Sequence, residues 1–205
     1  MSAIDAITLE VPDPAAAEAF YAATFALGDR LDVRTGTAPT AGFRGYTLSL
    51  VVSQPSTVDH FCDVARSHGA TSLKSAGKSM WGYGGVVQAP DGAIWKVATS
   101  SKKDRGPAAP EIDETVLLLG VADVGATKQF YVDRGFTVAK SYLNKYVQFE
   151  AAPAAGFTLG LYRRAALAKD AGVAAEGAGS HRIVVRGSAG SFTDPDGFAW
   201  EAPTQ

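Results

Sequence analysis

One short pattern occurs twice and dictates most of what this chain can become. The copies are Val87-Gln88-Ala89-Pro90-Asp91-Gly92-Ala93-Ile94-Trp95-Lys96-Val97-Ala98 and Phe192-Thr193-Asp194-Pro195-Asp196-Gly197-Phe198-Ala199-Trp200-Glu201-Ala202-Pro203. Asp-Gly suits a tight turn at positive φ, and the alternation around it suits strands, so each copy is expected to form a β-hairpin. The copies differ in chemistry at one place, where Glu201 stands in the second and Lys96 in the first.

A second pair of landmarks precedes the hairpins. Residues 4–11 alternate as a strand that Pro12-Asp13-Pro14 stops; Asp13 can then cap a helix with Pro14 at its first position. Ala16, Ala19, Phe20, Ala23 and Leu27 recur at helical spacing and define a face to be buried against a sheet, and Gly28 ends the run. The same grammar returns in an apolar strand at 115–121, a helix opening at Ala122-Asp123, the pair Phe130-Tyr131 answering Phe20-Tyr21, and a stop at Gly135. Near-constant offsets predict two related units, 1–100 and 113–205, joined by a polar, Pro-rich linker at 101–112. The first unit reads further as strands at 44–52, 70–76, 83–89 and 93–99 with a helix at 56–68. The second reads as strands at 137–142, 145–150, 157–162, 181–186 and 198–202 with a short helix at 164–171. It has no counterpart of the helix at 56–68, so its late part is trimmed.

Composition narrows the function classes. A 46% hydrophobic fraction supplies one large core or two small ones, and a net charge of −2 with scattered Lys and Arg shows no footprint for nucleic acid or an acidic membrane. The single Cys62 excludes an internal disulfide framework, and no apolar run suggests export or insertion, so the cytoplasm is the expected compartment. There is no Gly-rich phosphate loop, nucleophile elbow, CxxC pair or HExxH.

A strand, a helix opening after Asp-Pro or Ala-Asp, a Phe-Tyr pair on it and a closing Pro-Asp-Gly-x-x-Trp hairpin together resemble the vicinal oxygen chelate superfamily. Its members include glyoxalase I, extradiol dioxygenases and bleomycin-binding proteins. The resemblance implies an α+β fold of βαβββ modules, two related units with curved mixed sheets around a cavity. It also implies, in catalytic members, a metal held there by two His and a Glu. In the first half the His position falls on Ala6, the middle strand offers Thr47, Ser49 and Leu50, and the closing strand carries Lys96, so no metal is expected there. In the second half Val116 takes the first-strand position. Glu114, His181 and Glu201 are the candidates for a degraded site; the alternative is an ion-paired or hydrogen-bonded Glu201 and an ordinary strand-edge His181.

Other residues suggest a binding role. Lys78-Ser79-Met80-Trp81-Gly82-Tyr83-Gly84-Gly85 combines aromatic faces with glycines that let backbone come close, and resembles the run lining the cavity mouth in the superfamily; a bulged strand with core aromatics is the alternative. Lys96 would anchor a substrate oxygen if it faces inward; otherwise it points outward or pairs with Glu10. His60 and His68 share a helix face without a carboxylate to complete a ligand set, and Cys62 reads as an inert thiol. The leading expectation is a small-molecule binder without a cofactor, contacting Lys78, Trp81, Tyr83 and Lys96, in the manner of drug- or toxin-sequestering proteins, either alone or as a homodimer. The competing expectation is a metal-dependent lyase, isomerase or dioxygenase.

Overall fold

The computed structural model describes residues 2–151 and 156–203. In the first half the order is β1 (Ile4–Val11), α1 (Pro14–Thr24), β2 (Leu31–Thr35), β3 (Thr40–Gly42), β4 (Tyr46–Val51), α2 (Pro55–Ser67), β5 (Thr71–Ser79), β6 (Gly82–Gln88) and β7 (Ile94–Thr99). In the second it is β8 (Glu114–Val121), α3 (Val124–Val132), β9 (Val138–Tyr142), β10 (Tyr146–Phe149), β11 (Thr158–Arg163), α4 (Arg164–Ala171), β12 (Gly177–Gly179), β13 (Ile183–Gly187), β14 (Phe192–Thr193) and β15 (Ala199–Glu201).

Local chemistry sets these boundaries. The Asp13 carboxylate accepts from Ala16 N, and that of Asp123 from Gly125 N and Ala126 N, closing the first turns of α1 and α3. Pro14 and Pro55 occupy helix starts, where a missing N–H costs nothing. Gly92 and Gly197 sit at φ +90 and +91 in the two hairpin turns, a backbone region closed to most side chains.

The sheets do not divide along the linker. An eight-stranded mixed sheet runs β5-β6-β7-β4-β8-β11-β10-β9, and a five-stranded one runs β14-β15-β13-β1-β2. Each half contributes to both, and the seams are antiparallel pairs between halves: β4 with β8 (Ser49 opposite Val116) and β1 with β13 (Ile7 opposite Val185). Within the large sheet β4-α2-β5-β6-β7 and β8-α3-β9-β10-β11 are complete βαβββ modules, whereas the smaller sheet is built from two shortened ones.

The main core lies where α1, α2 and α3 meet one face of each sheet, and it holds the fully buried Trp95 and Trp200. Two matching networks pin the helices to the hairpins. Tyr21 donates to Asp91 Oδ2 (2.6 Å) and accepts from Trp95 Nε1 (3.4 Å); Tyr131 donates to Asp194 Oδ2 (2.7 Å) and accepts from Trp200 Nε1 (3.1 Å). The acceptor has moved within the motif. Asp91 is the Asp of Asp-Gly, whereas Asp194 lies before the proline, and Asp196 instead takes Ala122 N and Thr127 Oγ1.

A second cluster fills the other face of the eight-stranded sheet. Leu167, Ala168 and Ala171 of α4 pack there with Phe43, Val86, Ile94 and Leu118. Gly120 makes the approach possible, since a Cβ on it would come within 2.9 Å of Gly45 O and 3.1 Å of Arg164 Cα.

Candidate functional site

Strand alternation decides which side chains look into the hollow of the eight-stranded sheet. On β7, Trp95 and Val97 belong to the main core, so Ile94, Lys96 and Ala98 face the other way. Register carries that face across the sheet: Val86, Lys96, Ser49, Val116 and Thr158 form one row, with Glu114 a step along β8. Lys96 is therefore an inward lysine. Its Nζ meets Asp170 Oδ2 of α4 at 2.7 Å, not Glu10, because Glu10 on the five-stranded sheet is occupied by Arg34 (3.0 Å). At 30% and 45% side-chain exposure the Lys96–Asp170 pair is worth roughly 0–1 kcal/mol.

Lys74 Nζ joins it at the end of α4, donating to Lys169 O (2.8 Å) and Asp170 O (2.6 Å), where helix carbonyls lack intrahelical partners. Between this helix end and the β5–β6 hairpin lies a cleft of about 320 Å³. Lys74, Lys78, Trp81, Tyr83, Lys96 and Asp170 are among its borders, and Gly84 and Gly85 leave the strand bare. The four residues singled out from the sequence thus border one cleft. Trp81 stands at the hairpin tip, 84% exposed. Tyr83 departs from expectation: an odd number of residues from Val86, it points to the opposite face, and its hydroxyl donates to Asp59 Oδ1 of α2 at 2.8 Å. That bond, with burial, pushes the phenol up to about 12.

The three candidate metal ligands are not brought together. Glu114 accepts from Thr158 Oγ1 (2.6 Å) on the large sheet. Glu201 lies on the small sheet, ion-paired with Arg34 at 3.0 Å, and Arg34 also holds Glu10. His181 stacks on Phe198 (centroids 4.0 Å apart) with Nδ1 against Arg44 O (2.6 Å) and Nε2 against Asp196 O (3.0 Å), which leaves no nitrogen for a metal. No group of three His, Cys, Asp or Glu able to hold an ion occurs among the described residues. The residues present do not fit the superfamily's metal: a guanidinium sits between the carboxylates of the small sheet, and the matching row of the large sheet is Lys96, Ser49, Val116 and Thr158. Elemental analysis of the purified protein is expected to give no stoichiometric zinc, nickel, manganese or iron; a stoichiometric metal lost in both Glu201→Ala and His181→Ala would contradict this.

His60 is exposed on α2 and His68 just past its end, and Cys62 is buried in α2, its thiol pushed to about 11 chiefly by burial, the setting of a packing residue. The sequence reading did not single out Asp170, Lys74 or Arg34. Alternation of Leu31-Asp32-Val33-Arg34-Thr35 was the available signal for Arg34.

Paired βαβββ modules forming a curved sheet give the chain a vicinal oxygen chelate fold. The chain is similar along 98% of its length to glyoxalase I from Zea mays, with a TM-score of 0.64, 14% identity and 92% of that chain covered. It is similar along 95% of its length to a putative dioxygenase from Bacillus subtilis, with a TM-score of 0.55, 12% identity and 71% of that chain covered. No family model and no curated protein matches the sequence. No helix among the described residues is long and apolar enough to cross a membrane.

Proposed function

We propose that the chain binds a small planar or apolar molecule bearing an acidic or carbonyl oxygen, in the cleft between the β5–β6 hairpin and the end of α4. The observation that carries this reading is the convergence on one cleft of an exposed indole and of Lys74 and Lys96, with Lys78, opposite Tyr83 in register, at its rim, against the single carboxylate of Asp170. An apolar face beside a few directional charges is the usual composition of a small-molecule site. The ring of Trp81 would stack on the ligand, and the lysines would orient its oxygen. Tyr83 supports the wall by holding the hairpin to α2. Sequestration fits this arrangement better than metal-assisted chemistry, because the cleft has a charged anchor and no ligand set for an ion.

Calorimetric titration with a panel of aromatic carboxylates tests the site. Trp81→Ala is expected to cost roughly 1–3 kcal/mol of binding, about a fivefold to 150-fold rise in Kd, and Lys96→Ala is expected to weaken carboxylates more than the matching amides. Affinity unchanged in both variants, for a compound the parent binds, would move the site elsewhere.

A further inference from the structure

We infer that α4 is a built-in occupant of the hollow of the eight-stranded sheet, with Leu167 and Asp170 standing in for the apolar body and the anion of a ligand, and that an apolar carboxylate displaces it. The inference rests on the binding reading above and extends that site beneath the helix.

Leu167 fills the hollow, with no exposed surface, while Asp170, on the same short helix, reaches Lys96 at the cleft. Helix and cleft are continuous, since Lys74, Lys96 and Asp170 border the cleft and also hold the helix end. Beneath lies an unused polar group. Ser49, 7% exposed, is on the face α4 covers, next to Lys96 in register, and its Oγ has no hydrogen-bond partner. A buried hydroxyl without a partner carries an uncompensated desolvation cost that an oxygen-bearing ligand would relieve.

The helix depends on these contacts for its stability. Arg164–Ala171 is two turns long, too short to be stable without packing, and no side chain caps its N-terminus. Its far end turns at Gly172 in the left-handed conformation and leads to β12, where Gly177 and Gly179 pair with β3, while Arg164 ties the helix start to Phe43 O and to Ala175 O beyond the helix end. Displacement must therefore release the Lys74 and Lys96 contacts at the Asp170 end and lift Leu167 off the sheet. A carboxylate entering by the cleft competes with Asp170 for Lys96, and its apolar part takes the place of Leu167.

The test measures binding of 1-naphthoate by the parent, Asp170→Asn and Lys96→Met, together with amide exchange of residues 168–173 with and without the compound. Removing the internal carboxylate while keeping Lys96 is expected to tighten binding about fivefold to tenfold, and Lys96→Met to weaken it by at least tenfold. Saturating naphthoate is expected to speed exchange across 168–173 in the parent, which a ligand resting in the outer cleft would not do. Binding with unchanged or slower exchange, or with equal affinity in Asp170→Asn, overturns displacement and leaves the cleft reading intact. No binding by either the parent or Asp170→Asn overturns both.

Discussion

Above about pH 10 the protein is expected to lose stability steeply and unfold cooperatively. Tyr21 and Tyr131 are held well above the ordinary tyrosine value, first by burial and then by the charges of Asp91 and Asp194, and burial raises Tyr46 as well. The direction follows from linkage. A group whose folded pKa is raised is protonated in both states below its unfolded pKa; above that value only the unfolded chain releases the proton, so stability falls until the folded pKa is reached. Each such tyrosine contributes about 1.4 kcal/mol per pH unit, and three together about 4. Against a total of roughly 5–15 kcal/mol, this exhausts the fold within about one to four pH units. Tyrosinate absorbance and circular dichroism should change together. Titration of all seven tyrosines near their ordinary value with the circular dichroism unchanged would refute the account.

Asp194→Ala is expected to destabilise more than Asp91→Ala, although both remove the acceptor of a buried tyrosine. Asp194 is 5% exposed and serves Tyr131 Oη, Asp196 N (2.9 Å) and Phe198 N (2.8 Å), whereas the half-buried Asp91 serves Tyr21 Oη and Ala93 N (2.7 Å). Two buried donors orphaned at about 1–3 kcal/mol each give roughly 2–6 kcal/mol for Asp194→Ala, or a fall in Tm of about 4–24 °C for a chain of this size. Asp91→Ala should cost about half as much. Burial raises the pKa of Asp194 against the lowering effect of its hydrogen bonds. Its ionised form therefore bears a net penalty, and Asp194→Asn should be milder than the alanine variant. Equal Tm values for the two alanine variants would show that the added backbone bonds of Asp194 contribute nothing.

Most individual elements were legible because their signals are local: the capping aspartates, the Asp-Gly turns and the paired Phe-Tyr residues mark positions whatever surrounds them. Partners were less legible. Pairing of β4 with β8 and of β1 with β13 joins segments far apart in sequence, and alternation states that a strand has a buried face without saying which strand lies beside it. The same gap hid Asp170 from Lys96. The helix at 164–171 could be read from its residues, but its seat inside a sheet could not. That Trp81 and Lys78 border a cleft follows from glycine relief written into their own stretch, while the turn of Tyr83 to α2 depends on strand parity counted from Val86.

The seam between β1 and β13 sets the order in which the molecule can be made. Ile7 leaves the ribosome 178 residues (185 − 7) ahead of its partner Val185. At about 5–20 residues per second, β1 waits roughly 10–35 s with its apolar face, Ile7, Leu9 and Val11, lacking the strand that completes its sheet. The eight-stranded sheet has all its strands by Arg163, before the last strands of the smaller sheet are synthesised. Synthesis thus favours closing the large sheet first, with β1 tethered beside it, and the smaller sheet zips shut last around a strand made well before its partners.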